Sequence, residues 1–385
     1  MNILYFSWGE NSKDDLAHTL LSLGHSVCTI RAAVHNYFEN PSLSAILEKE
    51  LSKKNYNFIF SFDYIPFLST AADTHQIKYV SWIYDRPHWT LYSPTIRNEC
   101  NYIFLFDKEM VSAVCELGAK HAFHLPLACN ITRYSRLLDL NRQITPENYE
   151  HDLSFVGSLY ENNLFRQINY LPAPLQGYLD GIIAAQKQLW GYSLIGELLT
   201  PDIVCELQKY IKLESNPACP VPAHDVFQNM ILSKITSDER ISYLNALAQY
   251  FHVTLYTGSN ERLCPTASYQ GTISYTDQMP AVFHKSKINL NITLRSIASG
   301  IPLRAIDIIG CGGFLLTNYQ PELAEYLEPD HDFVYFESLD DLLQKADYYL
   351  SHDDEREQIT RNGYEKVQAL FSYETQVQKM LQLCS

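Results

Sequence analysis

The chain has 385 residues, 46% of them apolar and 19% charged, with 29 Lys and Arg against 44 Asp and Glu for a formal charge of −15. That length points to two domains or three, and that apolar share to packed cores rather than disorder. The negative balance disfavours nucleic acid as main partner and anionic lipid as a docking surface, since both select basic faces; a small phosphorylated ligand needs only two or three local cations. No apolar run reaches the roughly 18 residues of a membrane span. The start, MNILYFSWGENS, lacks the basic flank and apolar stretch of a signal peptide. Nine cysteines, odd in number and without a CxxC pair, argue against zinc ribbons and a disulfide framework and for reduced thiols in a cytoplasmic protein.

In chain order, short apolar runs alternate with amphipathic stretches. NILYFS (2–7), SVCTI (26–30), FIFSF (58–62), KYVSWIY (78–84), NYIFLFD (101–107) and HAFHLPL (121–127) read as strands. A helix follows the first strand, with Leu16, Leu20 and Leu23 on one side, and another spans about 43–53. Continuous apolar strands between such helices predict a parallel sheet covered on both faces. Residues 133–152, polar and containing a Pro, read as a linker. DLSFVGS (152–158) is a further strand, and the next ninety or so residues read as a helical insertion broken by Pro172, Pro174, Pro220 and Pro222. The alternation then resumes with VTLYTGS (253–259), TISY (272–275), INLNIT (288–293), GGFLLT (312–317) and DFVYF (332–336). Helices are expected at about 303–310, 320–327, 338–350 and 353–370. Two doubly wound domains in series result, and their ligands are expected beyond the carboxyl ends of the strands.

Several motifs are missing. The first strand is not followed by G-x-G-x-x-G, and the chain has neither a Walker A loop nor a G-x-S-x-G elbow. His121 and His124 fall in a strand, where residues three apart point to opposite faces, so no metal pair is expected there.

The run Leu290 to Tyr319, LNITLRSIASGIPLRAIDIIGCGGFLLTNY, resembles the donor-binding segment of the GT-B glycosyltransferases, and is most similar to their CgeB-like branch. PELAEYLEPDHDFVYFESLDDLLQKADYYLSHDDEREQITRNGYEKV continues the likeness in order and spacing. It covers roughly residues 250–380 well. SFDYIPFL, SWIYDRPH and FLFDKE resemble the acceptor domain that accompanies it; the insertion matches nothing. The resemblance implies an α/β fold of GT-B type, two Rossmann-like doubly wound domains facing a cleft, with a helical insertion at about 160–250. The acceptor domain is expected over 1–132, with a C-terminal helix at about 371–385 packing back on it, and the donor domain over 150–370. It implies a nucleotide-diphosphate sugar, of the UDP type, as co-substrate, with no bound cofactor and no metal. The implied acceptor is a protein or glycan hydroxyl, in the context of bacterial flagellin, spore-surface or cell-surface polysaccharide. A nucleotide-sugar-binding protein without turnover and a nucleotide-sugar epimerase are the alternatives on the same fold.

Within this segment, a helix beginning near Pro302 aims its N–H groups at an anion. Arg304 sits in its first turn, where the dipole disfavours a cation unless an anion is present, and a guanidinium grips phosphate with two parallel bonds. Asp307, one turn on, holds the place of the family's ribose-binding acid; taken alone, the two are an ordinary i, i+3 ion pair. Gly157 and Ser158, like Gly258, lie in strand-end turns that either contact the donor or merely turn the chain. Ser274 and Tyr275 match the stretch lining the nucleobase, and Arg295 follows a strand within reach of the diphosphate. Many retaining members carry E-x7-E, whose second acid corresponds to Asp307. The first position is Ser299 here, so Ser299 and the Gly300 backbone stand in for it. The Asp330-His331-Asp332 triplet reads as a turn rather than a metal-binding D-x-D.

In the first domain, an inverting transfer needs a carboxylate or His as base. Asp85 in YDRPHW is the preferred candidate, with Asp63 and Glu10 as rivals. Trp8, Tyr84 and Trp89 are aromatics able to stack on a sugar ring.

Overall fold

Unit 1 of the computed structural model, which describes residues 1–168 and 170–384, comprises residues 1–128, Glu214–Val221 and the segment from Phe371 on. Its strands are β1 (Asn2–Ser7), β2 (Ser26–Arg31), β3 (Phe58–Phe62), β4 (Lys78–Ile83), β5 (Asn101–Leu105) and β6 (Ala122–His124), all parallel in the order β2-β1-β3-β4-β5-β6. Every residue of β3 is buried, as is all of β1 after Asn2. A strand so placed has apolar cover on both faces, which is why it reads as a continuous rather than alternating run. The order reverses between β1 and β3, opening a crevice at their carboxyl ends. The last helix, Tyr373–Leu383, belongs to this unit. The Tyr84 and Tyr373 hydroxyls lie 2.8 Å apart, and Lys78 Nζ donates to the Cys384 carbonyl at 2.5 Å.

Unit 2 comprises Cys129–Leu213 and Pro222–Leu370. Its strands are β7 (His151–Val156), β8 (Val253–Tyr256), β9 (Ser268–Gly271), β10 (Ser286–Asn291), β11 (Leu315–Asn318) and β12 (Val334–Phe336), parallel in the order β12-β11-β10-β7-β8-β9. Leu153 of β7 lies opposite Ile288 of β10 and Val253 of β8, so the central strands stack apolar side chains across the sheet. Here the order reverses between β7 and β10. The helix Asp353–Phe371 passes so close to β12's approach that a Cβ on Gly363 would stand 2.2 Å from the Asp332 carbonyl oxygen, so only glycine fits. The insertion has its own apolar core, with Leu179, Ile195, Phe227 and Ile235 shared among the helices Ala173–Gln186, Ile195–Leu198 and Ala223–Leu247.

Two expectations are corrected. The segment 133–152 is not simply a linker, because Ile131–Leu138 is a helix. Asn130 caps it by accepting from the Arg133 N–H at 2.8 Å, and Ile131, Tyr134, Leu137 and Leu138 recur at helical spacing. The strand expected at 272–275 lies earlier, at Ser268–Gly271, where Gly271 ends it at φ +75°. An edge strand exposing polar residues leaves little apolar signal to read. At the D-x-D triplet, Asp330 is left-handed at φ +60°. Asp332 accepts from the Glu328 N–H at 2.8 Å and pairs with Lys366 at 2.7 Å, tying the turn to its helix.

Candidate functional site

In unit 2, a cavity of about 500 Å³ opens where β7, β8 and β9 end, lined by Gly157, Ser158, Tyr160, Tyr256, Gly258 and Thr272 among others. Glu161 braces it: its carboxylate accepts from Ser259 Oγ at 2.7 Å and from the Asn260 N–H at 3.2 Å, and Ser259 Oγ accepts from the Leu159 N–H at 2.9 Å. Burial works against the Glu161 charge, but these hydrogen bonds outweigh it and hold the carboxyl low. The cavity thus combines Gly157, Ser158 and Gly258.

The helix Leu303–Gly310 carries the charged residues. Asp307 is 1% exposed. Its Oδ1 accepts from Tyr134 Oη at 2.8 Å and from Tyr275 Oη at 3.2 Å, while its Oδ2 is buried without a partner. Burial lifts its carboxyl to about 6, against the pull of Arg304 and the two tyrosine bonds. Arg304 makes no ion pair with Asp307 and, among the described residues, with no other carboxylate. Its guanidinium touches Met279 Sδ and lies 5.4 Å from the centre of the Phe283 ring. The ordinary i, i+3 ion pair is therefore not what these two residues form.

The other sequence candidates divide. Tyr275 joins Asp307. Ser274 Oγ accepts from the Gln278 N–H at 3.2 Å, at the start of the helix Gln278–His284. Ser299 Oγ donates to buried Glu322 at 2.6 Å, and the Gly300 carbonyl accepts from Gln320 at 2.8 Å, so this loop is held from the start of the helix Pro321–Tyr326. Arg295 is committed elsewhere. It makes a two-pronged pair with buried Glu239, whose Nε prong measures 2.8 Å, donates to the Leu189 carbonyl, and lies 3.3 Å over the Trp190 ring.

Sequence reasoning missed Tyr134 and Arg240. Tyr134 sits in the helix mistaken for a linker, and its Asn130 cap and apolar spacing were the available signal. Arg240, on the helix Ala223–Leu247, is 9% exposed and donates to the Ser158 and Ile292 carbonyls. Nothing local in the sequence marks it.

In unit 1, the three acids have different surroundings. The Glu10 carboxylate accepts from Tyr5 Oη, from the Trp8 N–H at 2.9 Å and from the Gly9 N–H at 3.0 Å, so it stabilises its own turn. Asp63, at φ +57°, accepts from the Tyr84 N–H at 3.0 Å and faces His88 Nδ1 at 3.7 Å. His88 Nε2 in turn lies 3.0 Å from the Tyr64 backbone nitrogen, 3.2 Å from the Tyr64 carbonyl oxygen and 2.7 Å from Thr90 Oγ1. Asp85 lies at the surface, and among the described residues its carboxylate has no hydrogen-bond or ion-pair partner. Desolvation first, then the Asp63 charge, raise its carboxyl, with His88 opposing. Trp8 donates its indole N–H to the Phe62 carbonyl at 3.0 Å.

Two Rossmann-like units in series, each a six-stranded parallel sheet with helices, constitute the GT-B fold. Residues 240–382 match the family model described as glycosyl transferase-like. Among solved structures, the chain is similar to a sucrose-phosphate synthase from Thermosynechococcus elongatus, at 11% identity and a TM-score of 0.53 over 100% of this chain and 98% of that one. It is also similar to a glycosyltransferase from Rickettsia africae, at 10% identity and a TM-score of 0.52 over 100% and 97%. A third is HepE from Anabaena in complex with UDP-glucose, at 11% identity and a TM-score of 0.50 over 99% and 98%. No curated protein sequence matches the chain. Among the described residues, no helix is long and apolar enough to cross a membrane.

Proposed function

We propose that this chain is a glycosyltransferase that moves a sugar from a UDP-sugar to a hydroxyl of a protein or glycan, in the manner of the CgeB-like branch, in the cytoplasm. The observation that carries the reading is Arg304: a cation in the first turn of a helix, without a carboxylate partner among the described residues, one turn before a buried acid with an unspent oxygen. A diphosphate satisfies the cation and the helix N–H groups together. Asp307 accepts from the ribose hydroxyls as Tyr275 gives way. The choice of uridine follows HepE, which holds UDP-glucose.

In the transfer, the bond from the anomeric carbon to the diphosphate breaks and its electron pair leaves with the diphosphate, where Arg304 stabilises the charge. The acceptor oxygen bonds to the anomeric carbon, and Asp85 takes its proton. Ser299 and the Gly300 backbone, held by Glu322 and Gln320, line the sugar. Arg295 acts indirectly, by fixing the loop after β10.

The test is thermal stability against a panel of nucleotides and nucleotide sugars, for wild type and Arg304→Ala. A ligand at about 100 times its dissociation constant adds about 2.7 kcal/mol. UDP or a UDP-sugar is expected to stabilise wild type and not the variant. If no nucleotide shifts wild type, the donor assignment fails.

A further inference from the structure

Within unit 2, the helix Ala223–Leu247 of the insertion reaches the central strands through Arg240. Its Nε and Nη2 donate to the Ile292 carbonyl at 3.0 and 2.5 Å, just beyond β10, and its Nη1 donates to the Ser158 carbonyl at 2.6 Å, just beyond β7. Those are the two strand ends at which the sheet order reverses, the place where ligands bind in open α/β sheets. The guanidinium also lies against the rings of Phe155 and Tyr160, 5.4 and 5.1 Å from their centres, and Tyr160 lines the cavity.

These bonds use three of its five N–H groups. Carbonyls orient a cation without neutralising it, and a buried charge ordinarily has a counter-ion. Among the described residues, no carboxylate lies within ion-pair distance of Arg240. Its sequence neighbour Glu239 is spent on Arg295. Arg304, in the same unit, also has no carboxylate partner among the described residues, and its charge, after burial, helps to hold Arg240 down to about 10, with Tyr160 and Glu239 opposing. A buried cation held only by carbonyls and ring faces is an arrangement completed by an anion.

We infer that Arg240, pinned to the ends of β7 and β10 beside Gly157, Ser158 and Tyr160, is the buried counter-charge of the donor's diphosphate, supplied to the donor unit by the helical insertion. It is a positioning residue: it fixes both strand ends and sets the positive field into which the diphosphate settles. The inference rests on the donor reading above.

The test measures binding of UDP, uridine and inorganic pyrophosphate to the full chain as wild type, Arg240→Lys and Arg240→Met. Arg240→Met is expected to weaken UDP and pyrophosphate about tenfold or more while leaving uridine unchanged, since charge-assisted bonds carry the difference. Arg240→Lys keeps the charge but not the fork that reaches both strand ends, so it is expected to weaken UDP by less than Arg240→Met does, with uridine unchanged. A purely structural role moves UDP and uridine together, and that result, or unchanged UDP binding in Arg240→Met, overturns the inference. If Arg240→Met does not fold, Arg240→Lys decides: equal losses for UDP and uridine overturn the inference, and a loss of UDP with uridine unchanged supports it. Failure of the donor reading looks different, because wild type itself then binds neither UDP nor pyrophosphate.

Discussion

Replacing Asp307 by Asn tests the donor site through stability and binding at once. The carboxyl is fully enclosed, with one oxygen satisfied by Tyr134 and Tyr275 and the other by nothing. Burial lifts it from 3.8 to about 6, which at about 1.36 kcal/mol per pH unit amounts to a cost near 3 kcal/mol for the ionised form. Because the folded value lies above the unfolded one, the native state holds the proton longer. Stability therefore falls as pH rises between the two values and stays down above about pH 6. Asn has the same shape and no charge to lose. Groups common to both proteins cancel in the difference between them. Relative to wild type, Asp307→Asn is expected to gain about 1.4 kcal/mol between about pH 5 and about pH 7.5. The assay is urea unfolding at the two pH values, followed by tryptophan fluorescence. The same variant loses its charged acceptor for the ribose hydroxyls, so its affinity for UDP-glucose is expected to fall about tenfold or more. A variant more stable at neutral pH yet unable to bind marks a residue kept for function. A stability difference that is flat across this pH range refutes the burial argument, and unchanged UDP-glucose affinity refutes the ribose role.

Two further predictions separate neighbouring roles. Asp85→Asn is expected to lower turnover by about 10²–10⁴-fold, the usual contribution of a positioned base, with UDP affinity unchanged; binding and single-turnover measurements on one preparation check both halves. Arg295→Met leaves Glu239 as an uncompensated buried charge, so it is expected to destabilise the protein by about 3–5 kcal/mol. UDP should still bind the folded fraction with near wild-type affinity, as measured by calorimetry, and a selective loss of UDP affinity without destabilisation would return Arg295 to the diphosphate.

Much of the architecture was legible in the chain because buried parallel strands announce themselves. β1 and β3 coincide with the runs at 2–7 and 58–62 residue for residue, since apolar cover on both faces demands an unbroken apolar segment. The helix at Leu303–Gly310 was equally readable, from Pro302 before it and the glycine pair Gly312-Gly313 after it. Where burial is one-sided or absent, the signal fades: β9 at the sheet edge was misplaced, and the helix at Ile131–Leu138 was lost among polar neighbours.

Residue types and their place along the chain were thus enough to set two doubly wound units, and the resemblance of the segment 290–319 singled out Arg304 and Asp307. The state of those residues was a tertiary matter. Asp307 became a raised, half-satisfied acid because folding buries it and brings Tyr134, from more than 170 positions away, to one of its oxygens. Neither Arg295, just after β10, nor Arg240, inside the helix Ala223–Leu247, announces its partner in the sequence. Three-dimensional packing gave the first the Glu239 carboxylate and the second only carbonyl oxygens. Local sequence sets backbone periodicity and burial, whereas the partner of a charge depends on contacts between distant segments, and those exist only once the sheets have formed.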